Sequence, residues 1–255
     1  MKSTEPLPVE QHNIEILENR ARWNRKPALR SIYGDFYRQI AAAVTNRVSG
    51  RTVELGSGMG NIKQFIPHCV TTDIFENPWL DRVETAYALT FPDASVANLI
   101  LFDVFHHLEF PGNAFREAAR VIPPGGRMII FDHDMGLVPR FICKAFHHEP
   151  VAMDRAIVWD ASPDFVPAQS AYYAAIGNAY RCFVRGELNG KWSTQWKIVS
   201  CRRISSFAWM GCGGFRGPQL YLTVALPLIQ FLDRLLSYVP NLFSARMLVV
   251  LERRA

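Results

Sequence analysis

The sequence has no C-x-x-C pair. Its five cysteines, Cys69, Cys143, Cys182, Cys201 and Cys212, are scattered and odd in number. Neither a zinc site nor a disulfide framework is built that way, so reduced thiols in a cytoplasmic setting are expected. A long apolar run is lacking as well: the best stretch, Leu220 to Val239, is broken by Pro227, Asp233 and Arg234, where a spanning helix needs about 20 apolar residues. The opening MKSTEPLPVEQHNIEILENR is polar and has no apolar core of a secretory signal. There is no internal repeat and no low-complexity segment.

Charge is modest. Lys and Arg outnumber Asp and Glu by 28 to 23, a net +5, and the only dense basic cluster is Arg20, Arg22, Arg25, Lys26 and Arg30. It reads as a solvated surface, and nucleic acid is not an expected partner. With 255 residues, 49% of them hydrophobic, the chain can bury a sizeable core as one domain.

Residues 10–48 carry helical spacing in two pieces divided near Pro27, with Ile32, Phe36, Ile40 and Val44 on one face of the second. RTVEL, CVTTDI, VANLILFDVF and RMIIFD then read as strands. The later ones are nearly continuous in apolar residues, as strands buried on both faces are. NIKQFIP starts a helix after the first strand. GNAFREAARVI is a second helix, stopped by Pro123-Pro124-Gly125-Gly126. This alternation predicts parallel pairing with right-handed crossovers.

The rhythm loosens over 135–190 into helical text, GLVPRFICKAFHH and AQSAYYAAIGNAYRCF, expected to form a cap. WSTQWKIVSC and SARMLVVLER resume as strands in 191–255. Between them Gln230, Asp233, Arg234 and Ser237 form a polar stripe on an otherwise apolar helix, which is expected to pack broadly.

The sharpest local signal is Val53-Glu54-Leu55-Gly56-Ser57-Gly58-Met59-Gly60, with glycine at every second position directly after a strand. Positions without side chains let a backbone turn tightly and approach a small ligand, and a following helix start offers free N–H groups. A dinucleotide fingerprint needs a third glycine where Asn61 stands, which disfavours a nicotinamide cofactor.

This E-x-G-x-G-x-G run resembles motif I of the class I S-adenosylmethionine-dependent methyltransferases, and of their small-molecule subgroup often called type 11. Three further segments are similar to that family: Thr71-Thr72-Asp73-Ile74, Ala88-Leu89-Thr90-Phe91-Pro92-Asp93, and Phe102 to Leu108 followed by Ala118 to Arg127. The resemblance covers residues 30–134 and, more weakly, the last strands. It implies a Rossmann-like α/β fold with a seven-stranded, mostly parallel sheet flanked by helices. Leader helices would occupy 1–48, the cofactor-binding core 49–134, and a helical cap 135–190.

The same resemblance implies S-adenosyl-L-methionine as cofactor and a set of contacts. Glu54 and the turn Gly56, Ser57, Gly58 and Gly60 would take its methionine moiety, Asp73 its ribose and Ile74 its adenine, while Phe102 and Asp103 would border the sulfonium. At the adenine amino group the family's Asp-Ala is replaced by Thr85-Ala86. Either Thr85 accepts that hydrogen bond, or Glu84 does through a shifted loop, or backbone and apolar contacts hold the base. Asn98 replaces the usual Asp of the fourth strand, which puts a fold-supporting contact in question.

Methyl transfer from a sulfonium requires positioning and, for an oxygen or nitrogen acceptor, removal of a proton. Asp132-His133-Asp134 stands at the carboxyl end of a predicted strand, where open α/β sheets place ligands. His133 is the first candidate base, with Asp132 to hold its tautomer, and His106 and His107 are rivals. His147-His148-Glu149 suggests a metal only superficially, since adjacent histidines point apart on any regular element; no metal is expected.

The acceptor read from this pattern is a small or lipid-like molecule methylated on oxygen or nitrogen. The aromatic second half and the apolar helix near 228–239 suggest it, and they are compatible with peripheral membrane contact. RNA or protein methylation is the alternative. A nicotinamide-dependent oxidoreductase or a non-catalytic nucleoside-binding protein is the alternative of another class.

Overall fold

A computed structural model describes residues 9–167, 172–188 and 190–255. Its centre is a seven-stranded sheet: β1 (Arg51–Leu55), β2 (Val70–Asp73), β3 (Arg82–Val83), β4 (Val96–Phe102), β5 (Arg127–His133), β6 (Trp196–Ser205) and β7 (Ser244–Arg253), in the order β3-β2-β1-β4-β5-β7-β6. The first five strands pair in parallel, and β7 inserts antiparallel between β5 and β6. This is the Rossmann-like sheet expected from the sequence.

Strand alternation sorts the core into two layers. Leu99 and Leu101 of β4, Met128 and Ile130 of β5, and Met247, Val249 and Leu251 of β7 face one layer. That layer is covered by α3 (Pro111–Val121) and α5 (Asn178–Phe183), with Trp192 and Trp196. Ile100, Phe102, Ile129, Phe131, Leu248 and Val250 face the other. There α2 (Pro27–Ala43) lays down Ile32, Phe36 and Ile40, as its spacing predicts. The first helix, α1 (Val9–Arg25), precedes it, and the two divide at Lys26 and Pro27.

Asn98 keeps the support that an Asp would provide. Its Oδ1 accepts from Thr45 N at 2.8 Å, and its Nδ2 donates to Thr45 O at 3.0 Å and Thr52 Oγ1 at 3.2 Å. Two members of the basic cluster are tied into the fold, while Arg20 and Arg25 are exposed. Lys26 Nζ donates to the carbonyls of Gly214 at 2.9 Å and Cys212 at 3.3 Å, and Arg30 donates to those of Trp23 and Asn24.

Three expectations change. The NIKQFIP segment is a single 3-10 turn, Asn61–Gln64, because Pro67 follows so soon that no α-helix has room to propagate. The cap is mostly irregular: α4 (Leu137–Phe146) and α5 are its helices, residues 147–166 and 172–177 follow no regular element, and Pro150 and Pro163 punctuate them. Residues 168–171 of the segment read as helical lie outside the described ones.

The third change concerns α7 (Leu226–Leu236), followed by the short α8 (Pro240–Phe243). Of its polar stripe, Asp233, Gln230 and Ser237 face inward while Arg234 is exposed, and most of its apolar side faces outward, with Leu226 and Ile229 packed on the core. The buried Asp233 carboxylate accepts from Ser205 Oγ at 2.8 Å and from the backbone N–H groups of Phe207 at 2.7 Å and Ala208 at 2.9 Å, at the start of α6 (Phe207–Gly211). Gln230 donates to Asp35 and Ser237 accepts from Ser205 N. Unpaired N–H groups at a helix start make a carboxylate worth burying there, so Leu228, Phe231, Leu232 and Leu235 are left exposed. No helix among the described residues is long and apolar enough to cross a membrane.

Candidate functional site

Parallel pairing brings the carboxyl ends of β1, β2, β4 and β5 to one edge, and the glycine turn leaves β1 there. Gly56, Gly58 and Gly60 all take left-handed φ values, 65°, 51° and 67°, which a side chain disfavours. A Cβ on Gly56 would sit 2.4 Å from Val104 Cγ2, whereas one on Gly58 would meet nothing within 4 Å. The turn is thus pinned at one point and open at the next. Ser57 N bonds Thr72 O at 2.8 Å, and Asp73 accepts from Gly58 N at 3.1 Å and Ile74 N at 2.8 Å. The carboxylate at the tip of β2 therefore holds the shape of the turn.

Against this turn lies a cavity of about 340 Å³, lined on one side by Glu54, Gly56, Ser57 and Gly58, and on the other by Asp103, His106, His107 and His133. Tyr33 and Tyr37 of α2 and Ile16 and Asn19 of α1 close it. Glu54 is 2% exposed and its Oε2 has no hydrogen-bond partner. Burial raises its pKa to about 8. A second, more apolar cavity of about 520 Å³ adjoins, sharing Tyr33, His147, Trp209 and Phe215 with the first and adding Ile142, Phe146, Met210 and Leu220.

The far wall is dense in titratable groups. Asp132, fully buried at the end of β5, accepts from His106 Nδ1 at 2.8 Å and stands 3.3 Å from His133 Nδ1. His133 Nε2 is buried without a partner and its residue lines the cavity. His107 Nδ1 donates to Tyr173 O at 2.8 Å. Glu149 stands among four imidazoles: its oxygens lie 3.5 Å from His106 Nε2, 3.9 Å from His107 Nε2, 3.7 Å from His148 Nε2 and 4.0 Å from His147 Nδ1. Burial opposes charge on His106, but Asp132 and Glu149 outweigh it and lift its pKa to about 10. Burial and the neighbouring His106 hold His107 down at about 4.

The rings of each adjacent pair lie side by side, with centroids 4.0 Å apart for His106 and His107 and 4.7 Å for His147 and His148. The expected divergence fails because neither pair sits within an α-helix or strand: Phe105–His107 is a 3-10 turn and His147 follows the end of α4.

Residues 53–130 match the family model of a methyltransferase domain. The chain carries a class I S-adenosylmethionine-dependent methyltransferase domain. The nicotinamide-dependent alternative is thereby overturned. No curated protein matches the chain. Among solved structures, the [4+2]-cyclase SpnF is 13% identical with a TM-score of 0.51, over 99% of this chain and 100% of its own. A chain from the complex of the Haloferax volcanii Trm112 methyltransferase activator with a methyltransferase is 13% identical with a TM-score of 0.50, over 93% and 94%. An S-adenosylmethionine-dependent methyltransferase from Mesorhizobium loti is 16% identical with a TM-score of 0.45, over 84% and 95%. At such identities the likeness is one of fold, and the cyclase illustrates that one fold hosts different chemistries.

In this methyltransferase, Glu54, Gly56, Ser57, Gly58, Phe102, Asp103, His107 and His133 come together on the first cavity. Gly60, Asp73, Ile74, Thr85, Ala86 and Asp132 are not among the residues lining it. Asp73 and Asp132 act one layer back, on the turn and on the histidines. Ile74 is exposed. Thr85 forms an isolated bridge with Ala88, and Ala86 packs on the core. Glu84 accepts from Thr90 N at 2.8 Å and Oγ1 at 2.6 Å and pairs with Arg82, so its carboxylate is already engaged. Asp134 points to the opposite face from His133 and pairs with Arg203 at 2.7 Å.

Several methyltransferase residues escaped sequence reasoning. Arg246 of β7, fully buried, pairs with Asp103 and lies over the rings of Phe36, Phe102, Phe131 and Trp209. Nothing local in SARMLVVLER marks it. Glu149 was visible in the HHE run, but its approach to His106 and His107 depends on a long excursion of chain.

Proposed function

We propose that this methyltransferase transfers a methyl group to an oxygen or nitrogen of a small, lipid-like acceptor. The observation that carries this reading is the pair of joined cavities: a polar one at the glycine turn, opening past Trp209 and His147 into an apolar one. S-adenosylmethionine supplies an electrophilic methyl group when bound. The orphaned, buried oxygen of Glu54 suits its ammonium group, and the open space over Gly58 suits its amino-acid tail. Asp73 would grip the ribose while keeping the turn in shape, and apolar and backbone contacts would hold the base.

His133 is the proposed proton acceptor. With Nδ1 turned to Asp132, its Nε2 lone pair is left for the cavity, and Asp132 keeps that tautomer. The acceptor would lose its proton to Nε2 as its new bond to the methyl carbon forms and the sulfur–carbon bond breaks.

A lipid-like acceptor is favoured by the outside of the molecule. Leu220, which lines the apolar cavity, is 77% exposed, and Leu222, Val224, Leu228, Phe231 and Tyr238 continue that surface. From 220 to 242 the ionisable acid and base are Asp233, which is buried, and Arg234, which is exposed. An apolar face with one cation fits an anionic lipid surface, where the cavity mouth would meet its substrate. Transfer of labelled methyl from S-adenosylmethionine into a total lipid extract, against transfer RNA and a protein pool, tests the reading. Label is expected in the organic phase; label confined to RNA or protein overturns it.

A further inference from the structure

We infer that His106, His107 and Glu149 form a binding site for a divalent transition-metal ion on the acceptor side of the cavity. The ligand atoms offered, one ring nitrogen from each histidine and one carboxylate oxygen, all lie within 4.8 Å of one another. Two ligands of one ion stand at most about 4.2 Å apart, twice a bond of about 2.1 Å, so closure needs shifts of a few tenths of an ångström. Two imidazoles and one carboxylate are a donor set of catalytic zinc and ferrous sites, which leave positions open for substrate.

The outer contacts select this trio. A ligating histidine donates its other N–H to a carboxylate or a backbone carbonyl, which fixes the ring and leaves the second nitrogen as a lone pair. His106 does so to Asp132 at 2.8 Å, and His107 to the carbonyl of Tyr173 at 2.8 Å. Glu149 is steadied in turn by the hydroxyl of Tyr172. Both Nε2 atoms face Glu149, and His106 gives up its Nε2 proton when the ion takes that position. The other grouping at this wall, Asp103, His106, Asp132 and His133, lacks that order: Asp103 is engaged with Arg246, and His106 and His133 both turn Nδ1 to Asp132. A further sign is the buried, unpartnered Nε2 of His133, whose ring centroid is 4.9 Å from that of His106. It is available to a group held by the ion.

Resting on the methyl-transfer reading, the ion would narrow the acceptor to one with a hydroxyl. It would bind and acidify that oxygen, His133 would take the proton, and the oxygen would receive the methyl.

Metal uptake is measurable without knowing the acceptor. Protein stripped with a chelator is titrated with Co²⁺, followed by its visible absorption, and with Zn²⁺ by calorimetry. One equivalent of each is expected. Glu149→Gln and His107→Ala should each weaken uptake by about 100-fold or more, and Asp132→Asn by about 10–100-fold. S-adenosylhomocysteine affinity is measured on the same samples. It should stay within about threefold of wild type in Glu149→Gln, showing an intact fold and keeping a failed metal site distinct from a failed cofactor reading. Absence of stoichiometric uptake by stripped wild type, or wild-type affinity in both ligand variants, overturns the site.

Discussion

Glu54→Gln separates what the glycine turn does for the fold from what it does for the ligand. The Glu54 carboxyl is buried, and its pKa rises from 4.5 to about 8, chiefly through desolvation, with the Asp73 charge adding and the Ser57 hydrogen bond opposing. That rise amounts to about 5 kcal/mol against ionisation in the ligand-free protein. The folded chain holds this proton more tightly than the unfolded chain does. The resulting stabilisation is complete below about pH 4.5 and is lost as pH rises through about 8. Glutamine keeps the shape and never ionises. Its advantage over wild type should therefore grow between pH 6 and pH 9 by about 3 kcal/mol at most, or about 6–12 °C in Tm for a chain of this size.

The order reverses when ligand is present. On the proposed reading, the ammonium of S-adenosylhomocysteine would donate a charge-assisted hydrogen bond to the Glu54 carboxylate that an amide does not match, about 1.5–3 kcal/mol or roughly 10- to 150-fold in affinity. Differential scanning fluorimetry at the two pH values, with and without S-adenosylhomocysteine, and calorimetric titration read both effects. Parallel pH profiles together with equal affinities would refute the role of Glu54 on both counts.

Asp73→Ala should weaken S-adenosylhomocysteine binding by about 1–3 kcal/mol, because it would remove the proposed ribose contact together with the acceptor for Gly58 N; unchanged calorimetric affinity would take Asp73 out of the site. His133→Ala should lower methyl transfer by roughly 10²-fold or more while cofactor affinity holds within about twofold; wild-type turnover, once an acceptor is in hand, would retire it as the proton acceptor. Replacing Leu228, Phe231 and Leu235 together by serine should abolish sedimentation with phosphatidylglycerol vesicles while Tm changes little, since all three are about half exposed or more; undiminished sedimentation would place lipid contact elsewhere.

Local pattern was enough for six of the seven strands, the glycine turn and the two leader helices; the two-residue β3 (Arg82–Val83) carries no pattern of its own. β4 and β5 are nearly continuous apolar runs, interrupted by Asn98 in the first and ending on Asp132 and His133 in the second, and all their residues except Arg127 are buried. Gly56, Gly58 and Gly60 announce a backbone that only glycine adopts at little cost. Pattern misled where tertiary partners outweigh amphipathicity. Three of the four residues in the polar stripe of α7 are turned to the inside because Asp233 meets N–H groups at the start of α6. The NIKQ turn stays short because a proline closes it.

The sequence alone therefore determined most strands and the turn, since each rests on neighbours a few residues apart, whose φ preferences and spacing are local properties; the cofactor came from the resemblance of those motifs to a known family. Only the tertiary structure decided the chemistry at the far wall. Glu149 meets His106 and His107 across some forty residues of chain that include α3, β5 and α4, and Arg246 meets Asp103 from the last strand of the chain. Such contacts are set by where packing places distant backbones, and no periodicity along the chain encodes them.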